Sequence, residues 1–297
     1  MNKQINISRF RIWLLASRPK TLPAAFVPVF VGSSLAVQEG KFNIRASVIA
    51  LLCSILIQIG TNFTNDLYDF YKGADDGERK GPLRVLTAGL VTPGKMKFAI
   101  FLVFGLTFLM GLYLVYLQGY VIFIIGVLSI LAGLAYTAGP FPLAYNGLGD
   151  IFVFIFFGLF GTAGTYYLHS GCFTIPSIIA SIPVGALITN ILVVNNYRDI
   201  DEDRKVGKNT LAVLLGRNFA RYQYFSLLLI SFIAPFILYS IYNYKYWIFL
   251  PYVTFPIAIK LMQMVIKNKG EELNKTLELT ARFSALFGVL FSVGAAL

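Results

Sequence analysis

From Leu22 to the last residue, continuous apolar runs of about 20 residues recur, several of them separated by only brief polar breaks. That pattern constrains the fold more than any other feature. A run of this length matches the thickness of a bilayer core, about 30 Å, only when it is coiled as a helix at about 1.5 Å per residue. Inside lipid each backbone N–H and C=O needs an internal partner, which a helix supplies and an open strand does not. A closed barrel would show alternating segments of about ten residues, and these runs are continuous instead. Composition agrees: 57% of the 297 residues are hydrophobic and 13% charged. The expected fold is all-α, a polytopic membrane helical bundle. About nine transmembrane helices are expected, over 22–38, 44–64, 97–116, 119–137, 148–168, 173–196, 222–242, 246–266 and 282–297, the last one short.

Charge supports this count. With the N-terminus inside, the outer loops carry only Lys41, Arg45 and Lys245, while the inner segments carry the remaining loop cations. That asymmetry obeys the positive-inside rule and places the N-terminus in the cytoplasm. It also explains the net charge of +11 through contact with anionic membrane lipid, so no nucleic-acid partner is invoked. Residues 1–20 read as a cytoplasmic lead-in to a first membrane helix at Leu22–Gln38. Cys53 and Cys172 lie in separate apolar segments and His169 has no second histidine, so neither a disulfide nor a soft-metal site is expected.

Two long polar loops, 65–97 and 195–222, follow the second and sixth spans. Asn65-x-x-x-Asp69 in one is matched by Asn195-x-x-x-Asp199 in the other. This offset suggests a pseudo-repeat of about 1–137 and 138–297 within a single domain, 1–297. Nine of the fourteen acids fall between Asp66 and Glu78 or between Asp199 and Asp203. Side chains four apart share a helix face, so Asn65 pairs with Asp69, and Asn195, Asp199 and Asp203 form a second stripe. Asp66 and Asp201 point elsewhere. Hard oxygen donors without His or Cys suit Mg2+, which is usually held by one or two carboxylates together with substrate phosphates. Lys72, Arg79, Lys80, Arg84, Arg198, Arg204 and Lys208 supply phosphate-binding charge nearby. Acids for metal, bases for phosphate and an apolar bundle below them imply a lipid diphosphate as ligand.

At NDLYD (65–69) and DIDED (199–203) the chain resembles the UbiA-type intramembrane prenyltransferases, and the resemblance covers nearly its whole length. It implies nine helices around a central cavity opening to the cytoplasmic side, Mg2+ as cofactor, and a prenyl diphosphate whose prenyl group passes to an aromatic acceptor. The stretches SRPKTLPAAFVPVFVGSSLA (17–36), GPLRVLTAGLVTPGKMK (81–97), YTAGPFPLAYNGLGDI (136–151) and NNYRDIDEDRKVGKNTLAVLLG (195–216) look most like members of menaquinone biosynthesis in the bacterial inner membrane. Their acceptor is 1,4-dihydroxy-2-naphthoate, their donor polyprenyl diphosphate, and their product demethylmenaquinol, with loss of CO2 and diphosphate.

Carried over with the residue reading, the resemblance assigns the metal to Asn65, Asp66, Asp69, Asn195, Asp199 and Asp203. Asp69, Asp199, Asp203 and Tyr136 are the expected catalytic residues. Arg18, Lys72, Arg84 and Lys208 are expected on phosphate. Tyr68 and Tyr145 are expected near the cavity mouth, and Asp150 toward the acceptor. One departure is visible: many relatives have basic residues between helices four and five, and 137–150 has none. Two other readings stay open at this point. One is a prenyltransferase for another acceptor such as 4-hydroxybenzoate, and the other is a secondary transporter, whose repeats and buried polar residues would look similar.

Overall fold

The computed structural model describes residues 8–73 and 83–297. Asp75, Asp76, Glu78, Arg79 and Lys80, expected in the first acidic cluster and among its bases, lie outside the described residues. The helices are α1 (Arg9–Ser17), α2 (Pro23–Gln38), α3 (Ile44–Tyr71), α4 (Pro93–Gln118), α5 (Tyr120–Ala135), α6 (Gly149–Val153), α7 (Gly164–Ser170), α8 (Ile175–Arg198), α9 (Ile200–Lys205), α10 (Leu211–Tyr242), α11 (Phe255–Lys267) and α12 (Leu273–Ala296). A π-helix, Phe154–Ala163, joins α6 to α7 in one continuous span, and a 3-10 stretch, Tyr246–Thr254, leads into α11.

Local sequence sets these boundaries. Asn43 caps α3 by accepting from the N–H groups of Arg45 and Ala46. Thr174 and Ser177 form a capping box at the start of α8. Pro23 and Pro93 occupy first-turn positions, where a missing N–H costs nothing. A single residue, Gly119 at φ 75°, separates α4 from α5, and this backbone conformation suits glycine alone.

Among the described residues, seven helical stretches are long and apolar enough to cross a membrane, or eight if the pair Arg9–Thr21 and Pro23–Gln38, bent by 53°, is one span. The segment expected as the fourth span forms the 16-residue α5. At about 1.5 Å per residue it covers about 24 Å, short of a full bilayer core. Three expected boundaries move by seven residues or more. α3 runs on to Tyr71, past its expected end at 64, so Asn65 to Asp69 lie inside the helix rather than in a loop. The last helix begins at Leu273, nine residues before the expected start, because LNKTLELTAR is amphipathic and continues the coil. α10 begins at Leu211 and kinks at Gly216, φ 85°.

α8 is buried along most of its length and packs against α10 and the π segment. Small residues permit that approach: a Cβ on Gly158 would lie 2.9 Å from the Ser181 carbonyl, and one on Gly185 2.8 Å from that of Phe154. α12 packs on α2, and α3 on α4. His169 is buried, with Nδ1 accepting from the Asn43 N–H and Nε2 facing Ser33 and Ser47. Both cysteines are free thiols.

Candidate active site

A cavity of about 560 Å3 runs between α2, α3, α4, α5, the α6–α7 span and α8. One end is polar, lined by Arg18, Asn62, Asn65, Asp69, Arg84, Asn195, Asn196, Arg198 and Lys208. The rest is mostly apolar, with Phe108, Phe123, Phe152, Phe156, Phe157 and Phe160 on its walls. On α3 the cavity stripe is Ser54, Gln58, Asn62, Asn65 and Asp69, the three- and four-residue spacing of one helix face.

At the polar end each buried carboxylate faces a base. Arg84 Nη2 lies 2.9 Å from Asp69 Oδ2, and its Nη1 lies 3.9 Å from Asp66 Oδ1. Arg198 grips Asp199 with two bonds, Nε to Oδ1 at 2.6 Å and Nη2 to Oδ2 at 2.7 Å. The same guanidinium donates to Asn195 Oδ1 and, from the first turn of α12, to Asn274 Oδ1. Lys208 Nζ lies 3.1 Å from Asp203 Oδ1. Pairing is what permits such burial, since an unpaired carboxylate in this setting would cost several kcal/mol. Burial pushes the Asp203 carboxyl above the usual carboxylate range, with Lys208 opposing the shift.

The connection between α5 and α6 joins the two acidic regions. The Thr137 hydroxyl donates to Asn65 Oδ1 at 2.8 Å, and the Thr137 carbonyl accepts from Lys72 Nζ at 3.2 Å. The Tyr145 hydroxyl donates to Asp69 Oδ1 at 2.9 Å. Its ring lies under Lys72 Nζ, 3.7 Å from the centroid, and Lys208 Nζ stands 5.8 Å away. The Tyr145 carbonyl accepts from the Asn209 N–H, beside a bridge between Asn146 and Asn209. The loop without basic residues thus holds two lysines supplied by other elements.

The structure brings Arg18, Asn65, Asp69, Arg84, Tyr136, Asn195 and Lys208 to the cavity lining. Asp66, Lys72, Tyr145, Asp199 and Asp203 stand behind or beside that lining, linked to it through the contacts above. The second acidic stripe is not one continuous helix: α8 ends at Arg198 and Asp199 is its C-cap. The spacing survives the break, because the N–H groups of Asp199 and Asp203 still bond to the carbonyls four residues back. Two expected residues are not brought in. Tyr68, rotated about 100° from Asp69 on the helix, packs on the cluster of Phe63, Leu67 and Met96 and meets Tyr71 edge-on. Asp150 is buried in the first turn of α6, where its Oδ1 accepts from Gln223. Tyr136, the C-cap of α5, lines the cavity with its hydroxyl beside Gly149.

Thr137, Arg198 in its locking role, and Asn274 were not singled out by the sequence. The partners of Thr137 and Asn274 are distant along the chain, and Arg198 was read as a phosphate base rather than as the partner of the adjacent Asp199. Among the described residues no three His, Cys, Asp or Glu side chains form a ready-made metal cage. The donors present still fit a hard cation completed by phosphate oxygens: amide and carboxylate oxygens only, and a buried Asp203 Oδ2 with no hydrogen-bond partner among the described residues.

Comparison with known proteins agrees with this geometry. The UbiA prenyltransferase family profile matches residues 25–287. A 1,4-dihydroxy-2-naphthoate octaprenyltransferase of Escherichia coli (strain K12) is 38% identical, covering 97% of this chain and 96% of that protein. The protein of the same name from Bacillus subtilis (strain 168) is 30% identical over 95% of this chain and 91% of its own. Among solved structures, a UbiA homologue from Archaeoglobus fulgidus bound to GPP and Mg2+ superimposes with a TM-score of 0.67 at 16% identity, covering 96% of this chain and all (100%) of that one. By profile match and by full-length identity, this chain belongs to the UbiA prenyltransferase family.

Proposed function

We propose that this chain transfers a polyprenyl group from polyprenyl diphosphate to 1,4-dihydroxy-2-naphthoate, releasing diphosphate and CO2 and giving demethylmenaquinol. It acts in the bacterial cytoplasmic membrane with its N-terminus on the cytoplasmic side, the side favoured by the concentration of Arg18, Lys72, Arg84, Arg198 and Lys208 at one end of the bundle. One observation carries the reading: acid–base pairs from both halves of the chain meet at the polar end of a cavity that is otherwise mostly aromatic and aliphatic. The names of its relatives support the acceptor.

Asn65, Asp69, Asn195, Asp199 and Asp203 would hold Mg2+, with Asp66 behind them. The chemistry Mg2+ supplies when bound is Lewis-acid neutralisation of the charge that gathers on the departing diphosphate. Arg84, Lys208, Arg18 and Lys72 bind phosphate oxygens. In this structure Arg84 and Lys208 neutralise Asp69 and Asp203, so each can turn to phosphate once its carboxylate has another partner, and no buried charge is left alone. Departure of diphosphate leaves an allylic cation on the prenyl chain. The apolar walls exclude water from it, and the neutral ring of Tyr136 offers it a π face. The carboxyl-bearing carbon of the acceptor ring forms the new C–C bond, and CO2 departs as the ring regains aromaticity.

The test is a reaction of the purified protein in lipid with 1,4-dihydroxy-2-naphthoate, octaprenyl diphosphate and Mg2+, with and without chelator. Prenylated naphthoquinol and CO2 that both vanish with chelator are the expected result. Product from 4-hydroxybenzoate and none from the naphthoate would replace the acceptor, and substrate uptake without any product would favour a transporter.

A further inference from the structure

The cavity wall contributed by the α6–α7 span has an unusual register. Its lining residues are Phe152 and Val153, Phe156 and Phe157, Phe160 and Gly161, Gly164 and Thr165, then Leu168, a repeat of four. On an α-helix a repeat of four drifts about 40° per step, so Phe152 and Gly164 would diverge by about 120°. The π-helix over Phe154–Ala163 winds more residues into each turn and cancels the drift. One aromatic face therefore stays on the cavity: Phe152 stacks on Phe156 at 5.8 Å, and Phe156 meets Phe160 edge-on at 4.9 Å. The apolar cluster of Ala46, Cys53, Leu114, Ile122 and Leu168 lies at the far end of this wall.

We infer that this wall is a length gauge for the prenyl chain, an inference that rests on the proposed prenyl-diphosphate reading. With C–C bonds of about 1.5 Å, the four chain bonds of an isoprene unit advance about 5 Å, close to the ring spacing. The lined wall from Phe152 to Leu168 is at most about 24 Å long, taking about 1.5 Å per residue. It contacts the first four to five units from the diphosphate. Units beyond that meet no further wall and add nothing to recognition.

The experiment uses the full chain in lipid nanodiscs with 1,4-dihydroxy-2-naphthoate and a series of diphosphates carrying two, three, four, five and eight isoprene units. Affinity for the matching unreactive thiodiphosphates is measured alongside. The expected kcat/KM and affinity rise about threefold per unit, the scale of one aromatic contact, until four or five units and are flat to eight. Gly126 of α5 lines the cavity, and a Cβ there meets nothing within 4 Å, so Gly126→Leu is accommodated and narrows the cavity partway down. It lies ten residues from Tyr136, about 15 Å deep, and should move the break to about three units. Phe156→Leu should lower the ratio of four-unit to two-unit kcat/KM. A rise continuing to eight units, no dependence at all, or an unmoved break in Gly126→Leu overturns the gauge while leaving prenyl transfer intact. Absence of product at every length overturns the substrate reading and the gauge with it. If Gly126→Leu does not fold, the wild-type series decides.

Discussion

Replacing Tyr145 by Phe isolates a single hydroxyl. Tyr145 is 8% exposed, and its hydroxyl donates to Asp69 Oδ1 at 2.9 Å. Tyr145→Phe keeps the ring beneath Lys72 and the carbonyl that accepts from Asn209. Asp69 keeps Arg84 on its other oxygen. What is lost is one charge-assisted hydrogen bond to a buried carboxylate, worth about 1.5–3 kcal/mol, or about 10- to 150-fold. Because Asp69 borders the cavity, water can replace part of that bond, so the lower half of the range applies. The assay is kcat/KM for octaprenyl diphosphate across a Mg2+ titration, with thermal unfolding as control. A fall of about 10- to 30-fold, a higher half-saturating Mg2+ and a Tm within a few degrees of wild type are expected. Kinetics within twofold of wild type at every Mg2+ concentration would refute the idea that this hydroxyl orients Asp69.

Asn274→Ala removes the α12 contact to Arg198 and loosens its grip on Asp199; a three- to tenfold loss in kcat/KM, about one hydrogen bond, should appear in steady-state assays. Asp150→Asn, which keeps the Gln223 contact within reach and lies off the cavity, should stay within about threefold of wild type, whereas Asp69→Asn should lose at least about a hundredfold. Burial lowers the Lys72 amine pKa below the ordinary lysine value, Asp69 opposing this and Lys208 adding to it. Its positive charge is present at low pH and lost as pH rises, so diphosphate affinity should begin to fall at a pH below 10.5, and Lys72→Arg should move that alkaline limb upward.

The bundle and the first acidic motif were legible because their information is local. Asn65 and Asp69 lie on one unbroken helix, and the four-residue rule places them together. The second motif was read through the same rule and reached a similar placement by another route, since a break at Asp199 falls between residues that keep helical hydrogen bonding. Tyr68 was placed at the mouth although one helical step turns it about 100° from Asp69, and the orientation of Asp150 depends on Gln223, far along the chain. Thr137 and Asn274 depend on contacts spanning dozens of residues, Thr137 to Asn65 and Asn274 to Arg198, whereas the grip of Arg198 on Asp199 is local but gives no sign of itself in a run of mixed charges. The π-helix left no signal in an apolar run where every position suits lipid or core, and only packing against Gly185 and the cavity reveals it.

A double-mutant cycle in titration calorimetry reaches the heart of the matter. Mg2+ with an unreactive prenyl thiodiphosphate is titrated into wild type, Asp69→Ala, Asp203→Ala and the double variant. If both halves of the chain grip one ligand, each single change weakens binding by about a hundredfold or more and the double is little worse than either. Losses that simply multiply, or a silent Asp203→Ala, would mean that the two acidic motifs do not share a site.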